Sequence, residues 1–207
     1  MSRIIQIHPE DPQQRLIKQA VSVLRDGGVI VYPTDSCYAL GCHIGDKAAA
    51  ERIRRIRKLD HNHHFTLMCK ELSDVGLYAK LTNPAFRLIK ALTPGPYTFI
   101  LEATKEVPKR LLTPKRKTIG LRIPNNPIVS GLLHELHEPI ISTTLQLPNE
   151  EIPMSDPYEM KDLLDDHVNL VIDGGYCGIE PTTVVELLEE EPKVLRKGIG
   201  PIDVFNN

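Results

Sequence analysis

Residues 29–41 read VIVYPTDSCYALG, and this stretch indicates how the chain folds. Its first four residues are apolar and make a run of strand length, which Pro33 ends because proline cannot donate a ladder hydrogen bond. Hydroxyl groups follow at once on Thr34, Ser36 and Tyr38. Residues beyond strand ends commonly line the pockets of α/β proteins, so the stretch predicts a buried strand with a polar binding loop. A turn that uses Ser and Asp for local backbone hydrogen bonds is the alternative explanation.

Outward from this strand, helical and strand-like segments alternate along the chain. Apolar residues that recur every three or four positions predict helices at residues 12–26, 46–58, 83–93, 126–136 and 156–166. Short apolar runs predict further strands at residues 65–69, 97–103, 118–123, 139–144, 168–173, 182–188 and 193–196. The links are short, and no repeat or domain linker interrupts them. We therefore expect one α/β domain over residues 1–207, with layers of helix over a twisted sheet.

The composition fits a globular protein rather than a membrane or disulfide-rich one. The 207 residues are 41% apolar and 25% charged, and no apolar stretch reaches the roughly 20 residues of a membrane helix. The start of the chain lacks the apolar core of a signal peptide, so we expect a cytoplasmic protein with no membrane partner. The four cysteines form no C-x-x-C pair and no zinc spacing, which indicates reduced, mostly buried thiols.

Charge is distributed unevenly along the chain. Residues 1–122 hold 21 Lys and Arg against 11 Asp and Glu, whereas residues 123–207 hold 4 against 16. Either the fold intermixes these charges or the N-terminal part meets a polyanion. One predicted helix and its exit favour the second reading, since they carry five cations: Arg52, Arg54, Arg55, Arg57 and Lys58. The helix dipole favours cations near the C-terminus but does not require five of them, so phosphate recognition explains the run better.

Three histidines follow this run, His61, His63 and His64, without an obvious carboxylate partner, and we predict no metal site there. The chain also contains no Gly-x-x-x-x-Gly-Lys-Ser/Thr loop and no Gly-x-Gly-x-x-Gly turn after a strand. Any nucleotide must therefore be held by scattered cations, hydroxyls and backbone amides. Arg122 is one such cation, because an arginine inside an apolar strand needs solvent, an acidic neighbour or an anionic ligand.

Six segments occur in an order that resembles the YrdC-like family: PTDSCYALG, TPGPYTFIL, TIGLRIP, PIISTT, PTTVV and VLRKG. The resemblance covers about residues 12–200. It implies a twisted, mainly parallel or mixed sheet flanked by helices around an open, positively charged cavity. Synthases of this family combine ATP, L-threonine and bicarbonate into threonylcarbamoyl-adenylate for tRNA modification, and they release pyrophosphate. Family members also bind double-stranded RNA or tRNA.

The resemblance also implies roles for individual residues. Thr34 and Arg122 would serve the threonine side of the site, with Thr182 helping. Tyr38 would line the pocket, while Ser142 and Thr144 would meet the nucleotide and Arg196 would face its ribose or phosphate end. The charge of the triphosphate would be neutralised by Mg²⁺ and by cations.

The chain departs from the pattern of the synthases at two positions. Synthases carry Lys-x-Arg-Pro after the second helix, and the matching stretch here is Arg57-Lys58-Leu59-Asp60. Arg57 keeps one charge and Lys58 could substitute for the missing guanidinium, but Leu59 replaces the arginine. Gln146 stands where the family has Asn. A lost charged hydrogen bond costs about 1.5–3 kcal/mol, so the two changes predict weakened nucleotide binding.

These departures resemble the YciO branch of the family, and they leave two main functions open, beside a weaker third, an unrelated small-molecule enzyme on the same sheet. The first is an adenylate-forming synthase, slow or with an altered substrate. The second is a non-catalytic protein that binds double-stranded RNA or tRNA through the five cations above and through Lys115-Arg116-Lys117. Base-specific reading of RNA is not expected, because aromatic residues make up only 5% of the chain.

Overall fold

A mixed sheet of ten strands runs through the part of the chain that the structure, a computed structural model, describes: residues 2–60, 63–112 and 117–205. The strands are β1 Arg3–Gln6, β2 Ile30–Tyr32, β3 Ala39–His43, β4 Thr66–Met68, β5 Tyr97–Glu102, β6 Thr118–Arg122, β7 Ile140–Thr144, β8 Leu170–Asp173, β9 Thr183–Glu186 and β10 Lys193–Arg196. Their order in the sheet is β1-β8-β2-β3-β7-β4-β6-β5-β9-β10. Strands far apart in sequence are therefore neighbours in space.

Parallel and antiparallel pairs mix along this sheet. β1 and β8, β2 and β8, β4 and β6, and β5 and β9 run parallel. The pairs of β3 with β2 and β7, of β4 with β7, of β5 with β6 and of β9 with β10 run antiparallel. The predicted α/β fold with a mixed sheet and flanking helices is confirmed.

Six α-helices lie in the described residues: α1 Gln14–Arg25, α2 Lys47–Arg57, α3 Leu72–Tyr78, α4 Asn83–Leu92, α5 Pro127–Leu136 and α6 Pro157–Leu163. Side-chain caps fix several starts, since Asp46 accepts a hydrogen bond from the Ala49 amide and Asn126 accepts one from the Val129 amide. Short 3₁₀ turns occupy Lys109–Leu111 and Asp203–Phe205. None of the helices among residues 2–60, 63–112 and 117–205 is long and apolar enough to cross a bilayer.

Two apolar clusters cover opposite faces of the sheet. On one face, Ile17 of α1 and Leu132 of α5 pack with Ile30 and Ile172 of the sheet. The other face carries the larger cluster, which includes Leu40, Leu67, Phe99, Leu121 and Ile141. Residues alternate between the faces along each strand, as the pleat requires. The cysteines agree with the prediction of reduced thiols, since all four are free and Cys37, Cys42 and Cys69 are buried.

Three elements are not predicted from the sequence. β3 follows β2 as the second strand of a hairpin, so the polar loop after β2 ends at Tyr38 rather than at Gly41. The β3 residues Ala-Leu-Gly-Cys-His lack the β-branched side chains that mark strands. β1 is a short edge strand, and α3 contains Gly76, which weakens a helical pattern.

Candidate anion-binding cavity

An open cavity of about 610 Å³ lies on the sheet face that α1 and α5 cover elsewhere. Its floor consists of alternate residues from adjacent strands: Ala39 of β3, Ser142 and Thr144 of β7, Thr66 and Met68 of β4, Arg122 of β6, Thr98 and Ile100 of β5, and Val184 of β9. The strand register explains why these side chains meet. Thr66 pairs with both Ser142 and Gly120, and Thr98 pairs with Val184.

One wall of the cavity, called here the α2-exit wall, is formed by the segment that follows α2: Arg57, Lys58, Leu59, Asp60, His63 and His64. Lys58 adopts a left-handed conformation with a φ of 49° and ends the helix, so the chain turns toward the sheet. Burial lowers the pKa of Arg57, and its Nε is buried without a hydrogen-bond partner among the described residues. No carboxylate among those residues forms an ion pair with Arg57 or Lys58. This wall therefore offers positive charge to an anion.

The opposite wall is formed by Pro181, Thr182, Leu195 and Arg196. Arg196 donates hydrogen bonds from Nε and Nη2 to the Thr182 carbonyl, at 3.1 and 3.0 Å. The Thr182 hydroxyl lies 2.8 Å from the Thr98 hydroxyl. These hydrogen bonds hold the Arg196 side chain of β10 against the floor of the cavity.

Arg122 lies at the floor with an acidic partner, Asp35, that the sequence does not single out. The two side chains are only 6% and 9% exposed and form an ion pair through Nη2 and Oδ1. Nη2 also donates to the Ser36 hydroxyl at 3.3 Å, and the Asn125 amide donates to the second Asp35 oxygen at 2.8 Å. Nε of Arg122 is buried without a partner among the described residues. An acidic neighbour is one of the three environments expected for this arginine.

Ser142 connects the floor to the covered part of the sheet. Its hydroxyl donates to the Leu40 carbonyl at 3.1 Å and accepts a hydrogen bond from the Tyr32 hydroxyl at 2.7 Å. Burial raises the pKa of Tyr32 far above its ordinary value, so the phenol stays protonated and donates. Ser142 is therefore held in one orientation below the cavity.

Thr34 and Tyr38 do not line the cavity but lie behind it. The Thr34 hydroxyl donates to the Cys37 carbonyl at 2.6 Å and accepts from the amides of Ser36 and Cys37, which are the local bonds of a capped turn. Tyr38 is fully buried, and its hydroxyl donates to the Gly175 carbonyl at 2.7 Å. From this loop it is Cys37, together with Ala39 at the start of β3, that reaches the cavity.

His63 and His64 line the cavity, a position that the sequence does not predict for them. His63 Nε2 lies 3.3 Å from the Thr143 hydroxyl, and His64 Nε2 lies 3.0 Å from the Thr118 hydroxyl. Burial lowers the pKa of His63 to about 4, with further lowering by Arg57 and His64 that Asp60 partly opposes. The imidazole of His63 is therefore neutral at pH 7. His61 lies outside the described residues.

The five cations of the predicted basic run do not share one surface. Arg54 is buried, stacks over the Phe65 ring at 4.6 Å and donates to the Asp60 carbonyl at 2.8 Å. Arg52 donates to the Gly27 carbonyl at 3.0 Å, and Arg55 is exposed. Arg57 and Lys58 line the cavity. Lys115 and Arg116 of the second basic patch lie outside the described residues.

Both departures from the synthase pattern, Leu59 and Gln146, line the cavity. Gln146 directs its side-chain nitrogen to the Glu150 carbonyl at 2.8 Å, so its amide supports its own loop. As for a metal, no group of three or more His, Cys, Asp or Glu in residues 2–60, 63–112 and 117–205 is arranged to hold one. Asp60 is the one carboxylate of the described residues that lines the cavity, so this donor set does not fit a Mg²⁺ site made by protein side chains alone.

These features define a class of protein, an α/β fold with a mixed sheet whose uncovered face forms an open cavity with a surplus of cations. The chain belongs to the family of the Sua5, YciO and YrdC proteins, whose model is described as telomere recombination and matches residues 22–198. The uncharacterized protein YciO of Escherichia coli is 58% identical over 205 residues, which are 99% of this chain and 100% of that protein.

Comparison with other relatives agrees with this assignment. The crystal structure of E. coli YciO matches with a TM-score of 0.96 and covers 99% of this chain and 100% of that chain. An uncharacterized protein of Haemophilus influenzae is 61% identical over 206 residues, 99% of this chain and 100% of that protein. A threonylcarbamoyl-AMP synthase of Photobacterium profundum is 28% identical over 186 residues, 88% of this chain and 98% of the synthase.

Proposed function

We propose that the cavity binds ATP and L-threonine and that the chain forms threonylcarbamoyl-adenylate from them with bicarbonate. One observation carries the proposal: predicted site residues from five separate segments line one cavity, namely Arg57, Lys58, Arg122, Ser142, Thr144, Thr182 and Arg196. The similarity to a threonylcarbamoyl-AMP synthase over most of both chains supports the same reaction. Anions of this size need several cations and hydroxyls at fixed positions, which a sheet floor provides.

In the proposal, the phosphates of ATP bind at the α2-exit wall. Arg57 and Lys58 supply the charge, since both line the cavity and neither pairs with a carboxylate among the described residues. Thr144, at the end of β7 beside this wall, contacts the nucleotide from the floor. Any Mg²⁺ enters with the triphosphate, and its role there is to neutralise phosphate charge.

L-Threonine binds in the proposal at the other end of the floor. Its carboxylate accepts a hydrogen bond from Arg122, and the hydroxyl of Thr182 lies on the same side of the cavity. Thr34 and Tyr38 take no direct part, because the bonds described above hold them inside the loop. They shape the loop that carries Asp35.

The chemistry then depends chiefly on placement. The threonine amine takes up the carbon of bicarbonate with loss of water, and an oxygen of the resulting carbamate attacks the α-phosphorus while the bond to pyrophosphate breaks. Two ligands in one cavity meet at a high effective concentration, which supplies much of the rate enhancement in such reactions. The cations of the α2-exit wall orient the phosphates for in-line attack.

The test is incubation of the protein at high concentration with ATP, L-threonine and bicarbonate, followed by mass spectrometry for the adenylate and a pyrophosphate assay. We expect product from the wild type, and a loss of about 10–100-fold in Arg57→Ala, because a charged hydrogen bond is removed. Arg55→Ala is the matched control, since Arg55 lies on the same helix but is exposed and outside the cavity. Absence of product, with an authentic synthase active in parallel, would reject the proposal.

RNA binding without catalysis receives less support. Arg52 and Arg54 are bound to backbone carbonyls, and Arg57 lies in the cavity, so within the described part of the run only Arg55 and Lys58 are exposed. A duplex needs several phosphate contacts on one surface, and binding through them weakens steeply with salt. Salt-dependent binding of tRNA by a chain that forms no adenylate would favour the RNA function over the synthase.

A further inference from the structure

The ion pair between Arg122 and Asp35 is buried at an unusual place, below the floor of an open cavity. Arg122 lines the cavity, whereas Asp35 lies on the far side of the guanidinium. Removing two charges from water is unfavourable for each ion, and the attraction between them offsets this only with good geometry. A pair of apolar residues would serve stability as well. Stability alone therefore does not explain the ion pair, and a role in ligand binding at the cavity explains it better.

Asp35 is itself held in place. One carboxylate oxygen accepts from the Asn125 amide at 2.8 Å, and the residue lies in the turn that the Thr34 hydroxyl caps. The other oxygen accepts from Arg122 Nη2, which also contacts the Ser36 hydroxyl. A fixed carboxylate thus fixes the plane of the guanidinium.

This arrangement changes what Arg122 offers to a ligand. A guanidinium binds a carboxylate with two parallel hydrogen bonds, from Nε and Nη2 or from Nη1 and Nη2, and both donor pairs include Nη2. Asp35 and Ser36 occupy Nη2. The remaining donors are Nη1 and Nε, and Nε is buried without a partner among the described residues. The negative charge of Asp35 also cancels the positive charge of Arg122.

We propose that Asp35 is a positioning and selectivity residue for the cavity, because it holds Arg122 in one orientation and neutralises it. Arg122 then acts toward a ligand carboxylate as an oriented hydrogen-bond donor, not as a net positive charge. Positive charge without a carboxylate partner among the described residues is left to Arg57 and Lys58 on the α2-exit wall and to Arg196 on the opposite wall. Arg122 between them therefore contributes direction rather than charge to the binding of a carboxylate. The inference rests on the proposed function, since the carboxylate concerned is that of the amino-acid substrate.

Asp35→Asn tests the inference because it keeps the shape of the side chain and removes the charge. Asp173→Asn is the matched control, since Asp173 is also a buried carboxylate, accepts from the Gly175 amide and makes no contact with Arg122 among the described residues. The first readout is hydrogen exchange of the Arg122 Nε–H by NMR, assigned through its loss in Arg122→Gln. We expect exchange about 10–100-fold faster in Asp35→Asn, because the guanidinium is no longer held by its charge-assisted bond through Nη2 and the buried Nε–H becomes accessible to water, and no change in the control.

The second readout is anion binding by titration with acetate and with L-threonine. Unmasking Arg122 should raise the affinity for both about tenfold or more in Asp35→Asn and make binding more sensitive to salt. Turnover at saturating L-threonine should fall, because the guanidinium is no longer oriented. KM and kcat then decrease together, a result that a merely destabilised protein would not give.

Asp35→Glu separates orientation from charge, and it also provides a second variant if Asp35→Asn folds poorly. Its carboxylate keeps the charge but is displaced by one methylene, so we expect fast Nε–H exchange with acetate affinity near that of the wild type. Unchanged exchange and unchanged acetate affinity in Asp35→Asn would overturn the inference. Failure of the proposed function gives a different pattern: no adenylate and no L-threonine binding in any variant, while exchange and acetate affinity still respond to Asp35.

Discussion

One face of the sheet is built in two ways. Under α1 and α5 it carries Ile30, Leu170 and Ile172, and each is fully buried. Where these helices no longer cover it, the same face carries Arg122 and Ser142, which are 5% and 0% exposed. These two polar residues of the open end are therefore nearly as buried as the apolar residues of the covered end, although Thr66, Thr144 and Val184 of the same floor are only half-buried.

The two ends meet different physical requirements. Apolar side chains need only complementary volume, which the helices supply. Each buried polar group needs a partner, and at the open end the partners come from neighbouring loops and strands: Asp35 for Arg122, and Tyr32 for Ser142. The Nε atoms of Arg57, Arg110 and Arg122 are exceptions among the described residues, and Arg57 and Arg122 line the cavity whereas Arg110 does not. Two of these three unpartnered donors thus belong to arginines of the cavity.

The largest effect should come from breaking the ion pair at the open end. Arg122→Leu leaves the Asp35 carboxylate buried without its counter-ion, and we expect the free energy of unfolding to fall by about 3–5 kcal/mol in urea denaturation. The double variant Arg122→Leu/Asp35→Asn removes the orphaned charge and should regain most of this loss. A double variant no more stable than the single one would contradict the ion-pair explanation.

At the covered end, Leu132→Ala should lower the free energy of unfolding and leave the affinity for ATP unchanged. Leu132 is fully buried between α5 and the sheet, so the truncation leaves a cavity and costs about 2–5 kcal/mol. Urea denaturation measures the loss, and titration with ATP below the unfolding transition should give an unchanged affinity. A changed affinity would mean that the two ends of the face are coupled.

Restoring the synthase residues should strengthen ATP binding at the open end of this face and leave the packing of the covered end unchanged. Leu59→Arg adds a cation toward the cavity, and Gln146→Asn shortens the side chain by one methylene, which moves its amide away from the Glu150 carbonyl. We expect ATP affinity by calorimetry to rise about 10–100-fold in the double variant. Leu195→Arg is the matched control, because Leu195 also lines the cavity but on the opposite wall. An equal gain in that control would assign the effect to added charge alone.

The smallest effect concerns the pH dependence of stability at the α2-exit wall. The pKa of His63 is lowered to about 4 in the folded chain, against an ordinary value of 6.5, by burial first and then by Arg57, His64 and Arg54. The unfolded chain therefore binds more protons between these values, so the stability contribution is complete above pH 6.5 and is lost as pH falls toward 4. After allowance for solvent screening we expect about 1 kcal/mol.

His63→Gln isolates this contribution, since glutamine does not titrate. The difference in unfolding free energy between wild type and variant should shrink from pH 7 to pH 4.5 in urea denaturation. A constant difference over this range would show that His63 has an ordinary pKa.

The sequence predicts the strands and helices well where apolar runs and capping residues are strong, as in β2, β5 and α2. It also predicts that Arg122 needs solvent, an acidic neighbour or an anionic ligand, because burial of an unpaired charge is costly. It does not identify Asp35 as that neighbour, because residues 35 and 122 are far apart in the chain and come together only in the folded protein. Similarly, the sequence from Arg52 to Lys58 does not show which of its cations donate hydrogen bonds to backbone carbonyls, because this depends on where α2 packs.

The strand order has a consequence for how the protein is made in the cell. The cavity floor combines β3, β7, β4, β6, β5 and β9, whose residues extend from position 39 to position 186. Pairings between distant segments carry the entropy of closing long loops, so such topologies fold slowly. At roughly 5–20 residues per second of translation, β2 and β3 wait several seconds for their later neighbours to leave the ribosome. During that time their unpaired edges are exposed, and chaperones that bind extended apolar strands are the natural protection.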